Sequence, residues 1–417
     1  MDVPGHVGWT VTGDKTVEFA RFPLDFVKNR IEKYNSRVFV SRALNKPTIF
    51  VTSNNGIKEI LIDKSSSFGM GYKDFGYMHA LYGDLFLFDD DEEAYRVRDL
   101  VRGLFHKDNC DHYMKTVTRI THEKLESIDV KTSVDAYTVF KDLATEICLA
   151  LFLDVDESTE FHTVKAAATL HWHGLISVPL NLKVKGWSSS YGKASEAKEY
   201  LIQLIIKKLE SNNNKGRFLQ CVSEANFESS HDAATHVLLF ISAIIPKAFS
   251  SLLTSFVLET AGDFKEELRE RSLSSDKFLD DVLLEVQRLW PPLYGGMRVS
   301  KEEVIIDGFK IPKNFSIAYI IRFGNRDHDI FHQADQFIPE RWQEEEKTKK
   351  NLVWTFGAGT RSCVGVHFIE SILKHVSSYL LKNFDWSIVG GDEHVYKTLP
   401  VARPKEALQV SFTSKER

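Results

Sequence analysis

Between Phe356 and Gly365 the chain reads Phe356-Gly357-Ala358-Gly359-Thr360-Arg361-Ser362-Cys363-Val364-Gly365. Glycines at this density let a backbone turn tightly beside a flat partner that comes close to it. Arg361 fixes a positive charge just before the cysteine, in a form suited to pairing with a carboxylate. Cys363 opens directly onto an apolar helical pattern. A cysteine at a helix N-terminus has its pKa lowered toward the thiolate, and backbone N–H groups there can hydrogen-bond the sulfur. The segment therefore reads as a stiff loop presenting a soft anionic ligand. The plainer reading is a free structural cysteine in a Gly-rich turn.

With 417 residues, 43% of them hydrophobic, the chain can bury one large core or two smaller ones. A charged fraction of 27% and a net charge of −5 exclude a disordered chain and give no reason to expect nucleic acid as a partner. Cys110, Cys148, Cys221 and Cys363 are too scattered for a disulfide framework, which fits a reducing compartment. The first residues, MDVPGHVGWTVTGD, lack a basic start followed by an apolar run, so neither a signal peptide nor an N-terminal anchor is expected. Val237–Leu258 is long enough to cross a bilayer, but it carries Lys247, Pro246 and several hydroxyl residues. It is read as a long helix buried in a soluble protein.

Arg37–Val40 and Thr48–Thr52 are rich in β-branched and aromatic residues and are divided by Asn45-Lys46-Pro47, a hairpin pattern. From Glu93 to about Ser274 the pattern is mainly helical. Tyr191–Leu209 has apolar residues at helical spacing, and Lys277–Trp290 is a helix stopped by Pro291-Pro292. Val304–Ile306, Ser316–Ile320 and the tail from Asp385 to Thr413 look like strands, and the last long helix runs from after Cys363 to about Asn383. The expectation is a mainly α chain with small β-sheets, of the α+β class, in a single domain spanning residues 1–417. Its β-rich part is about 1–80, 300–325 and 385–413, and its helical part about 81–299 and 363–384.

The pattern F-x-x-G-x-R-x-C-x-G, met at Phe356, Gly359, Arg361, Cys363 and Gly365, resembles the haem loop of the cytochrome P450 superfamily. Thiolate-ligated haem in that family is a general rule of haem ligation. The resemblance implies a P450 fold holding haem b, with Cys363 as axial ligand to the iron, Phe356, Gly357 and Gly365 around it, and Arg361 on a propionate. Further pieces follow in the family's order. Glu285-Val286-Gln287-Arg288 puts two charged side chains on one helix face. Read alone, such a pair is a surface ion pair worth under about 1 kcal/mol. With the later Pro339-Glu340-Arg341-Trp342, the resemblance implies a buried structural triad of Glu285, Arg288 and Arg341. Arg298 matches an arginine that reaches a propionate. Arg98 does so too, although the aromatic position ahead of it is Ala94, and Arg102 could substitute. Pro291-Pro292-Leu293-Tyr294-Gly295-Gly296-Met297-Arg298 and the roof segment Val178–Leu182 are similar to the retinoid, sterol and terpenoid oxidases of the family.

The departure lies in the long central helix. The family places an acid followed by an alcohol there, usually as A-G-x-D/E-T, to deliver protons. In this chain the aligned residues are Ile244 and Ile245, followed by Pro246. Pro246 removes a helix hydrogen bond and should kink the helix. Ser242, Ser250, Ser251 and Lys247 are candidate replacements. The resemblance thus leaves two reactions open. One is a monooxygenase acting on a lipophilic terpenoid, sterol, retinoid or fatty-acid derivative, fed with NADPH electrons by a separate reductase. The other is a reductase-independent isomerase, lyase or peroxygenase acting on a lipid hydroperoxide, similar to an allene oxide synthase or epoxyalcohol synthase. A non-catalytic haem-binding protein is a third. The expected chain is a monomer, cytosolic or peripheral to the endoplasmic reticulum, with peripheral membrane contact conceivable. His171-Trp172-His173 could suggest a metal, but i, i+2 spacing splits the rings between helix faces, leaving packing as the reading. Asp89–Glu93 reads as a solvated acidic turn ahead of a helix. Phe68, Phe75, Tyr77, Trp172 and Phe249 are candidate pocket aromatics.

Overall fold

The computed structural model describes residues 1–9, 13–43, 45–72, 76–155, 159–175, 177, 183–184, 187–211, 215–242, 244–262, 264–343, 347–390 and 395–415. The chain divides into two compact units, each built from three stretches. The first comprises Met1–Tyr72, Leu258–Cys363 and Glu393–Glu406; the second comprises Lys73–Val257, Val364–Asp392 and Ala407–Arg417.

The first unit is organised by a sheet with the order Gly5–His6, Val38–Ala43, Lys46–Val51, Ser316–Tyr319, Gly296–Ser300 and Phe68–Met70. Its nucleus is the hairpin, whose register pairs Val38 with Val51 and Ala43 with Lys46. Asn45 turns it with a φ of 56°, a left-handed conformation that asparagine tolerates. Strand alternation divides the hairpin's side chains into two buried sets. Val38, Val40, Ile49 and Val51 pack with Ile57, Ile317 and Trp354. On the other face Phe39 stacks on Phe50 at 5.1 Å, and both join Phe26, Tyr294 and Ala318. Covered on both faces, this sheet reads as continuous apolar runs.

Two features of this unit differ from the sequence reading. Helix Pro23–Tyr34 lies within the N-terminal part taken as β-rich; Pro23 is pre-set for a first helical position, and the helix buries Phe26 and Val27. Gly296–Ser300, placed with the helical part, is a strand antiparallel to Ser316–Tyr319. Pairing on both edges overrides the low strand propensity of its glycine.

The second unit is helical. Ala136–Leu153 buries Phe140, Leu143, Ala144, Ile147, Cys148 and Leu151, one broad stripe at helical spacing. Helices Lys107–Glu126, Thr159–Leu175, Arg217–Glu224 and Ser230–Ser242 pack with it. Phe105, Phe152, Phe218, Phe240 and Phe368 form an aromatic knot, with ring centroids 4.7–6.4 Å apart. A three-stranded sheet of Phe384–Ile388, Gln409–Ser414 and Val134–Asp135 closes one side of this unit. The long apolar stretch is described as two helices, Ser230–Ser242 and Ile244–Glu259. Three quarters of its apolar window is buried, so its surface is used for packing.

Candidate functional site

In the first unit, helix Asp276–Leu289 carries Glu285 and Arg288, both with no exposed surface. Arg288 donates from Nε and Nη2 to the two Glu285 carboxylate oxygens at 2.9 and 2.8 Å. Its remaining donors reach the carbonyls of Asn325, Ala334 and Gln336 at 2.9, 2.5 and 3.0 Å. Arg341 donates from Nε to Glu285 Oε1 at 3.0 Å, and the Ile338 N–H reaches the same oxygen at 3.0 Å. Glu285, Arg288 and Arg341 therefore form one buried network in which every guanidinium donor of Arg288 is placed. Asn325 carries the order onward: its side chain accepts from the Trp354 N–H at 2.9 Å and donates to Thr355 Oγ1 at 3.2 Å, and Thr355 in turn donates to the Gln287 carbonyl at 2.7 Å.

That chain of bonds ends at the cysteine loop. The Gly357 N–H donates to the Trp354 carbonyl at 2.8 Å, Ser362 N–H to Gly359 at 3.2 Å, and Cys363 N–H to Phe356 at 2.8 Å. Gly357 and Gly359 hold φ values of 67° and 65°, in the left-handed region. A Cβ on Gly359 would stand 2.3 Å from the Leu61 carbonyl oxygen, so no other residue fits there. Phe356, Arg361 and Cys363 are half-buried. Arg298, on strand Gly296–Ser300, is 7% exposed. It donates to its neighbour's carbonyl on Met297 at 2.8 Å and lies 5.3 Å from the Tyr319 ring centroid. No carboxylate pairs with it among the described residues. A buried guanidinium without an acid, and a cysteine on a loop fastened at both ends, suit a cofactor that brings its own carboxylates and needs a sulfur ligand.

In the second unit, Arg98 sits on helix Glu92–Leu104, 3% exposed, with its guanidinium 6.0 Å from the Phe86 ring centroid. That helix is capped by Asp91, which accepts from the Ala94 N–H at 2.8 Å, so the acidic run serves a helix start. Gly365 is the N-cap of Val366–Asn383, and a Cβ there would meet only the Phe105 ring at 3.9 Å. Ile244, Ile245 and Pro246 lie in helix Ile244–Glu259, and Pro246 brings no N–H to its ladder. No acid or alcohol stands among them.

Two contacts in this unit were not legible beforehand. His171, read as a packing residue, is fully buried, with Nδ1 2.6 Å from Ser242 Oγ and Nε2 2.9 Å from the Leu81 carbonyl. Burial holds its pKa down at about 4. The Lys247 ammonium lies 4.8 Å from the Trp172 ring centroid, and burial brings its pKa down to about 8. Phe249 and Trp172 are buried in this unit, and Phe68 is buried in the sheet core of the other. Phe75, the Val178–Leu182 roof segment and Ala243 lie outside the described residues, as does any account of the Tyr77 side chain.

The Cytochrome P450 family model matches residues 257–412. A "Putative cytochrome P450 120" from Synechocystis sp. is 24% identical over 99% of this chain and 96% of its own length. A "Beta-amyrin 28-monooxygenase" from Kalopanax septemlobus is 22% identical over 98% of this chain and 91% of its own. Among solved structures, "Retinoic acid bound cyanobacterial CYP120A1" superposes with a TM-score of 0.86 at 23% identity, covering 99% of both chains.

Proposed function

The chain belongs to the cytochrome P450 superfamily, and from that premise we propose that it is a haem-thiolate monooxygenase of a lipophilic isoprenoid, a terpenoid, sterol or retinoid. The observation that carries this is the cysteine loop, which is fixed through the Glu285–Arg288–Arg341 network, by way of Asn325, to the Cys363 N–H. Haem b, when bound, supplies an iron centre that activates dioxygen. The residues that would hold it are Cys363 as the sulfur ligand, with Arg361, Arg298 and Arg98 for its propionates. The loop's bonds keep the backbone around Cys363 from moving, so the sulfur is presented in one geometry. The Ile244-Ile245-Pro246 stretch contains no acid to supply protons.

The substrate class is supported by relatives whose names give retinoic acid and β-amyrin, both isoprenoid. Electrons from NADPH would come through a separate reductase. Ile244-Ile245-Pro246 favours a second reading, rearrangement of a lipid hydroperoxide that already carries its oxygen and needs neither reductant nor proton relay.

Reconstitution with hemin tests the ligand first. The reduced, carbon monoxide-bound protein should show the thiolate-type absorption band, lost in Cys363→Ala and kept in Cys148→Ala. Labelled dioxygen should then appear in product only when NADPH and a reductase are present. Anaerobic conversion of a fatty-acid hydroperoxide without reductant would instead establish the second reading.

A further inference from the structure

His171 and Ser242 form a closed pair inside the helical unit. Both have no exposed surface, and they come from different helices, Thr159–Leu175 and Ser230–Ser242. The Leu81 carbonyl, 2.9 Å from Nε2, can only accept, so Nε2 carries the imidazole proton and Nδ1 presents a lone pair. The Ser242 hydroxyl, 2.6 Å away, therefore donates to Nδ1. Ser242 Oγ also lies 3.1 Å from the Leu238 carbonyl. One hydroxyl proton thus has two built acceptors, and the pair can take up a second proton without moving a heavy atom. With that proton on Nδ1, N–H donates to Oγ and the hydroxyl turns to Leu238.

A ladder donor is also missing beside this pair. Pro246 has no N–H for the Ser242 carbonyl, its i−4 partner in a continuous helix. Ser242 lies two residues before Ile244, where the family's acid aligns, and three before Ile245, where its alcohol does.

We propose that Ser242 is the proton-handling alcohol of this enzyme and that His171 is the residue positioning it, replacing the absent acid–alcohol pair. The inference rests on the monooxygenase reading. In the loaded state one solvent proton has been added at Nδ1. On discharge the Oγ proton passes to an acceptor on the substrate side and the Nδ1 proton moves onto Oγ. One N–H bond is lost, one O–H bond is exchanged, no electron moves, and the neutral pair returns. The charged and titratable groups facing His171 all disfavour an extra charge: Tyr82 lies edge-on at 4.8 Å and stays protonated, and Lys198 and Lys247 repel it. The loaded imidazolium is therefore a strong acid, suited to a weakly basic acceptor.

Two measurements on the haem-loaded full chain test this. In imidazole-nitrogen NMR, His171 should show the Nε2–H tautomer and a pKa near 4, and Ser242→Ala should shift Nδ1. An Nδ1–H tautomer, or titration near the ordinary 6.5, overturns the geometry. Hydrogen peroxide-driven oxidation of guaiacol needs neither native substrate nor reductase. Its rate should fall about a hundredfold in Ser242→Ala with loss of the solvent deuterium effect. Ser242→Thr should retain both, and His171→Ala should alter the pH profile. Unchanged rate and isotope effect in Ser242→Ala, with the thiolate carbon monoxide band intact, overturn the proposal and leave the haem assignment standing. So does a wild type with that band but no peroxide turnover. Absence of the band in wild type removes the haem reading itself.

Discussion

Arg288 in one unit is fully buried and Lys247 in the other partly so, and the two cations are housed in opposite ways. Arg288 has five donors and five hydrogen bonds, two of them to a carboxylate that is itself shared with Arg341. Lys247 has a ring face beside it and a thiol, Cys148, whose own pKa is pushed up to about 12 by burial. No acid pairs with it among the described residues. The planar guanidinium fork can be surrounded by fixed carbonyls, while the compact ammonium yields by releasing its proton more readily. A buried charge is thus a scaffold where every donor is placed and a destabilising element where it is not.

The largest effect should come from breaking the complete network. Arg288→Ala leaves Glu285 charged and buried with half its partners gone, and strands three carbonyls. Breaking one partner of such a pair costs about 3–5 kcal/mol, a large share of a domain's total stability. Arg288→Lys should do nearly as badly, because one ammonium cannot span the five acceptors. Urea unfolding checks both; a loss under about 1 kcal/mol for Arg288→Ala would place this network among ordinary surface pairs.

Lys247→Met should act in the opposite sense. With a folded pKa of about 8 against an ordinary 10.5, the unfolded chain binds more protons between those values, so stability rises with pH across that window. Below pH 8 the full penalty is present, at most about 3 kcal/mol, partly offset by a cation–π contact of about 1 kcal/mol. The methionine variant should melt higher at pH 7, and the difference should shrink as pH climbs toward 10.5. A variant that melts lower at pH 7 would mean that Lys247 has an anionic partner in solution.

The same contrast explains what could be read from the sequence. Glu285 and Arg288 lie one helical turn apart, and Pro339-Glu340-Arg341-Trp342 is a local signature, so local spacing exposes the network. Gly357 and Gly359 announce a loop because their left-handed φ values favour glycine. The hairpin shows as two period-2 runs around Asn45. Helix Pro23–Tyr34 had a usable signal in its N-terminal proline. By contrast, the parallel pairing of Ser316–Tyr319 with Thr48–Val51 joins distant segments through backbone bonds that carry no residue signature. His171 meets Ser242 because two helices cross there, and nothing in His-Trp-His points to a serine on another helix. Lys247 was visible as an oddity in an apolar stretch, but its pKa depends on Trp172 and Cys148, which only packing brings near.

The smallest effects should come from the hydroxyls of the central helix, where neutral polar groups repeat the contrast on one turn. Ser250 donates from Oγ to the Pro246 carbonyl, and Thr254 Oγ1 to the Ser250 carbonyl at 2.7 Å. Ser251 is equally buried, yet its Oγ has no partner among the described residues. Serine-to-alanine raises helix propensity equally at both positions, by about 0.5 kcal/mol, so the difference between the variants isolates the hydroxyl. Ser250→Ala loses one local bond, and the Pro246 carbonyl keeps its place in the helix ladder; the net change should be within about 0.5 kcal/mol of zero. Ser251→Ala removes an unsatisfied buried group and should stabilise by about 1 kcal/mol. Thermal melts of the two variants in parallel decide it. If Ser251→Ala melts below Ser250→Ala, an ordered water holds the Ser251 hydroxyl, and the helical unit satisfies its buried polar groups as fully as the arginine network does.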